Sequence, residues 1–156
     1  RSYDGALSPD FLILDWASSR AVFKLNGLFM ENVSFILSGC VIGIIIFQSA
    51  VIAPVVFSVL SGQDASVFLR KIFPLFFLLI ACLSIINTIC VVYNDQPDLI
   101  SVPLVSFVLA ILAYLLIPAT NSSRDEGNDI RFRWLHRTSV LLTLLILVCN
   151  GVIAAF

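Results

Sequence analysis

A chain of 156 residues that is 60% hydrophobic and 12% charged, with a mean hydropathy of +1.05, is far more apolar than a soluble domain. Nine lysines and arginines stand against ten aspartates and glutamates, leaving a formal net charge of −1, so no basic face suited to nucleic acid is available and no nucleic-acid partner is expected. The composition is that of a membrane protein, with the lipid bilayer as its first partner.

Residues 1–32 form an N-terminal tail with two readings. Phe11, Leu14, Val22 and Leu25 fall near helical spacing against Asp15, Arg20 and Lys24, as in an interfacial helix. Alternatively, Met30, the one methionine, stands immediately before ENVSFILSGC as a natural start, and the tail is a non-native extension.

From there the chain divides by charge. Asp, Glu, Lys and Arg are absent from residues 33–60, 72–93, 99–120 and 138–156. About 20 apolar residues carry a helix across a ~30 Å hydrocarbon core, so four spans fit. Strands of a barrel would alternate in hydrophobicity, whereas IGIIIF and LFFLLI are solid apolar blocks. The first run, at about 42 Å by helical rise, is too long for one straight crossing. Pro54, in QSAVIAPVVFSVL, predicts a kink or an early end there.

The connections SGQDASV, NDQPDL and NSSRDEGNDIRFRW are short, which makes consecutive helices antiparallel neighbours. The expected fold is all-α: a polytopic membrane protein whose residues 33–156 form one up-down four-transmembrane-helix bundle. Arg70 and Lys71 flank the first loop and Arg124, Arg131, Arg133 and Arg137 the third, while the second has only Asp95 and Asp98. Loops one and three are therefore expected on the cytoplasmic side of a plasma, inner or organellar membrane, with both termini opposite. The basic cluster suits anionic lipid headgroups, and Trp134 an interfacial aromatic belt.

In lipid, helices associate through close packing and polar contacts. Gly39 and Gly43 lie one turn apart in the first span with Ala50 following on the same side, which predicts a packing groove for a neighbouring helix of the bundle ahead of Pro54, with a dimer face as the alternative. Gln48 lies almost opposite. Ser106, Ala110 and Ala113 repeat the small-residue pattern in the third span, and the second offers Ala81, Ser84, Asn87 and Thr88. In the fourth span His136, Ser139, Thr143 and Asn150 fall within an arc of roughly 60° at ~100° per residue. With Asn87 and Gln48 they are expected to form a polar seam through the bundle, either as interhelical glue or as a permeation or ligand path. His136, at the start of that span, reads as a hydrogen-bonding anchor at the level of the interface, with a pH-responsive or ligand-binding role as the alternative.

Little in the chain suggests catalysis. Cys40, Cys82, Cys90 and Cys149 all fall in spans, at spacings matching no metal or haem-attachment motif, and read as small apolar side chains. One histidine cannot supply bis-histidine haem ligation or a nitrogen-rich metal site, so no cofactor and no metal are expected.

Two segments carry a resemblance. FQSAVIAPVVFSVLSGQDASVFLRKIFPLFF and FRWLHRTSVLL resemble the signature segments of the transmembrane protein 205-like family, small four-span membrane proteins whose domain has no established function. The resemblance covers roughly residues 33–156. It implies importance for Phe47, Ala53, Pro54, Phe57, Phe73, Pro74, Phe132, Leu135, His136 and Ser139. Phe76 and Phe77 stand where the family would have a hydroxyl-bearing aromatic, and Thr143 where an asparagine often follows.

The reading that follows is a small integral membrane protein without visible catalytic machinery, acting as a scaffold, accessory subunit or lipid-interacting bundle, alone or within a homo-oligomer or larger membrane complex. A small oligomeric transporter or channel is the first alternative. A membrane redox or haem-handling enzyme is the second.

Overall fold

The computed structural model describes residues 9–93 and 100–155, and every regular element among them is helical. Helix α1 (Pro9–Phe47) continues through a π-helical turn (Gln48–Ile52) into α2 (Ala53–Val59), followed by α3 (Gly62–Tyr93), α4 (Ser101–Asp125) and α5 (Asp129–Ala155). Four stretches, Asn32–Val59, Gly62–Tyr93, Ser101–Asp125 and Asp129–Val152, are long and apolar enough to cross a bilayer. α1 packs on α3 and α5, α3 on α4, and α4 on α5. Each neighbour around that ring runs opposite to the last, the up-down arrangement that short connections dictate.

α1 crosses residue 33 without interruption, and Val22 and Leu25 are exposed along it. The side chains of Phe11, Leu14, Asp15 and Lys24, and the second loop with Asp95 and Asp98, lie outside the described residues.

Pro54 shapes the end of the first span. It has no N–H for the carbonyl four residues back, and its ring crowds that carbonyl. The chain widens the preceding turn instead of breaking the helix: the Ala53 N–H donates to the Gln48 carbonyl, five residues back. Ser49 Oγ donates to the Ile45 carbonyl at 2.8 Å. The expected bend is thus taken up by a π turn beginning at Gln48, a feature common where helices carry function. α2 ends at Leu60, whose backbone is extended, and Ser61 caps α3 by accepting the Asp64 N–H at 3.2 Å while donating to the Asp64 carboxylate at 2.6 Å.

A tight turn joins α4 to α5. Gly127 sits at φ +67, where a side chain would be strained. Its N–H donates to the Arg124 carbonyl and that of Asn128 to the Ser123 carbonyl, a Schellman closure. Asn128 then caps α5, its Oδ1 accepting the Arg131 N–H at 3.0 Å.

The core draws on all four spans: Val41 and Ile45, then Phe76, Phe77, Ile80 and Ala81, then Ala110 and Ala113, then Ile146. Ser106, Ala110 and Ala113 are fully buried, and their small side chains let α4 lie close to α3 and α5. On α1 the packed face consists of Ser34, Ser38, Val41, Ile45 and Gln48. The groove expected at Gly39, Gly43 and Ala50 is not formed within the bundle. All three are exposed, as is Pro54, and nothing lies within 4 Å of a Cβ built on either glycine. The polar side chains turn away from lipid, and Ser38 finds a partner in Asn87, whereas glycine has no side chain to bury.

Candidate functional site

The polar residues gather at two levels of the bundle, with Gln48, Ser139 and Thr143 lining one cavity between them. Towards the end of the bundle where α3 finishes and α4 begins, Asn87 Nδ2 donates to Ser38 Oγ at 3.2 Å, tying α3 to α1. At the same end Asn150 Nδ2 donates to Ser106 Oγ at 3.0 Å and to the Ile146 carbonyl at 2.9 Å, tying α5 to α4. Ser34 Oγ, Ser84 Oγ and Asn87 Oδ1 are buried there without a hydrogen-bond partner. Midway along α5, Thr143 turns its hydroxyl onto the Ser139 carbonyl at 2.9 Å, so its proton is spent within its own helix.

The other level lies near the α2–α3 and α4–α5 connections. His136 is exposed and stacks on Phe132, with ring centroids 5.8 Å apart and planes 5° from parallel. No hydrogen bond to it is found among the described residues. The expected hydrogen-bonding anchor is therefore a stacked ring: Phe132, one turn earlier on the same face, supplies the surface on which the imidazole rests. The Arg124 guanidinium carbon stands 5.2 Å from the Phe132 ring centroid, a cation–π contact.

Between these groups and the π turn with α2 a cavity of about 500 Å³ opens. Its walls change character with depth. Arg70, Arg124, Asn121 and His136, with Phe57 beside them, stand at the end near the connections, and Phe73 and Val140 supply apolar wall, with Gln48 beneath. Ala53, Phe57, Phe73, Phe132 and His136, all singled out by the resemblance, line this one cavity; Phe47 and Ser139 line adjoining ones. Pro74 and Leu135 are half-buried and line none of the three.

Charge at this end is unevenly matched. Arg70 donates through both terminal nitrogens to the Asp125 carboxylate, at 2.9 Å for Nη1, clamping α3 to α4. Both side chains remain partly exposed, so the pair sets position more than stability. Arg131 meets Glu126 at 3.8 Å. Arg124, Lys71, Arg133 and Arg137 have no carboxylate within ion-pairing distance among the described residues, which leaves this end cationic.

Asp125 carries no motif of its own in the sequence. Antiparallel neighbours place the start of the second span beside the end of the third, so an arginine at one boundary and an aspartate at the other were the available signal. Gln48 was recognised as polar and inward, but its place at the meeting point of several cavities depends on the π turn, which no local spacing shows. The cysteines are dispersed: Cys40 and Cys82 are exposed, Cys149 is half-buried and Cys90 is buried.

No match was found among curated proteins or among solved structures. One family does match, over residues 36–155, a stretch that takes in three of the spans, all but the first four residues of the other, and the whole of the cavity. The chain belongs to this family, described as a domain of unknown function, DUF4149.

Proposed function

We propose that this protein is a non-enzymatic, lipid-interacting membrane bundle of the transmembrane protein 205-like type, which holds anionic lipid at its basic end. The observation that carries this reading is the cavity whose mouth presents Arg124 and His136 and whose depth is aromatic and aliphatic. A cation above apolar walls matches an amphiphile with an anionic head. Arg124 is the principal recognition group, since Arg70 is already committed to Asp125. With the basic connections on the cytoplasmic side, this end meets the leaflet where anionic lipids attract basic residues most strongly.

Anything that binds the folded state and not the unfolded one raises its apparent stability. In mild detergent, added phosphatidylglycerol should therefore raise the melting temperature of the wild-type protein by several degrees more than phosphatidylcholine does. Arg124→Gln should lose most of that difference. Equal shifts from the two lipids in the wild type would refute a site selective for anionic lipid.

A further inference from the structure

Three cavities meet at Gln48. Besides the basic-ended one, an apolar cavity of about 300 Å³ lies between α1 and α5, and another of about 600 Å³ between α1 and α3. The α1/α5 cavity shares Gln48, Ser49, Phe73 and Val140 with the basic-ended one, so the two adjoin at the π turn. Gln48 itself is only 8% exposed, and its amide nitrogen has no hydrogen-bond partner.

An unmet buried donor calls for an acceptor, and the choice of acceptor is narrow. A water molecule needs two to four polar partners. The walls below Gln48 are mostly carbon, from Ile45, Phe73, Phe76, Phe77 and Leu147, and the hydroxyls of Ser49, Ser139 and Thr143 are the few polar groups beside it, two of them already bonded to carbonyls of their own helices. An oxygen carried in on an apolar chain fits better. In an anionic phospholipid, ester carbonyls lie between the charged phosphate and the hydrocarbon, the same order in which Arg124, Gln48 and the α1/α5 groove succeed one another along the bundle.

We propose that one anionic phospholipid of the bilayer seats its phosphate at Arg124 and His136 and one acyl chain in the α1/α5 groove, with the Gln48 amide donating to an ester carbonyl at the junction. This rests on the lipid-binding reading above and adds to it the depth of the site, the groove used and the group recognised. A free anion or a water-soluble phosphate would satisfy Arg124 but leave the groove and the Gln48 amide unfilled. The π turn is what makes the arrangement possible, since it begins at the residue that faces all three cavities.

The test uses the full chain in phosphatidylcholine nanodiscs doped with phosphatidylglycerol whose chains are joined by ester or by ether linkages, with bound lipid counted by native mass spectrometry. The ether form keeps the charge and the chains but lacks the carbonyl acceptors. Wild type should retain the ester form about tenfold better than the ether form, the worth of one hydrogen bond. Gln48→Leu should bring the ester form down to the ether level and leave ether binding unchanged. If wild type retains both forms equally while still preferring them to phosphatidylcholine, the Gln48 contact is refuted and the lipid-binding reading stands; that comparison needs no variant to fold. A Gln48→Leu protein that still separates ester from ether would overturn the assignment to Gln48. No preference for phosphatidylglycerol of either kind would overturn the lipid-binding reading and this inference with it.

Discussion

Replacing Ile80 with alanine should lower stability by about 2–5 kcal/mol, the range for emptying a fully packed core position. Ile80 is completely buried, in one cluster with Phe76, Phe77, Ala110, Ala113 and Ile146. Lipid is as apolar as an isoleucine side chain, so the cost is lost packing and a cavity at the centre of the bundle rather than lost hydrophobic transfer. Leu78 supplies the control from the same helix. It is 50% exposed on the outer surface, and Leu78→Ala should stay within about 0.5 kcal/mol of the wild type. Unfolding by titration with a denaturing detergent measures both. Equal losses for the two variants would mean that α3 is rotated from the orientation described.

Ala110→Leu is expected to cost about 1–3 kcal/mol by overpacking, because α4 approaches its neighbours through Ser106, Ala110 and Ala113, all fully buried. Gly43→Leu should cost nothing measurable in the isolated bundle, since a Cβ there meets no atom within 4 Å. Spacing alone would rank the glycine as the more sensitive position, so the pair discriminates sharply. A melting temperature that falls for Gly43→Leu and holds for Ala110→Leu would reverse the assignment of packed and lipid-facing sides.

The contrast between these two positions shows what a membrane sequence makes legible. Four spans, their antiparallel order and the bend before Pro54 follow from charge-free runs, short connections and a missing N–H, all of which are local. The packed face of α4 is also readable, because alanines at helical spacing amid larger residues leave room only on one side. On α1 the same pattern misleads: Gly39 and Gly43 permit close approach but do not require it, and the buried face is the one that carries Ser34, Ser38, Val41 and Ile45, with Ser38 bonded to Asn87.

The site was harder to read than the fold. His136 was conspicuous as the one histidine, yet its stacking on Phe132 in place of a hydrogen bond depends on side-chain placement that residue type does not dictate. The Arg70–Asp125 clamp joins residues 55 apart in sequence and follows only once the second and third spans are set side by side. Helical periodicity puts His136 and Asn150 on one face, but nearly four turns separate them, roughly 20 Å along the axis. A shared face is therefore not a shared site: the one belongs to the basic-ended cavity, the other to the Ser106 contact at the opposite end.

Among possible measurements, the phospholipid composition that copurifies with the protein in mild detergent bears most directly on a cavity built to hold anionic lipid. The wild-type protein should carry anionic phospholipid enriched over the membrane from which it was extracted, and Arg124→Gln should carry the ratio of that membrane. Wild-type protein whose bound lipids merely mirror the bulk membrane would contradict the proposed site.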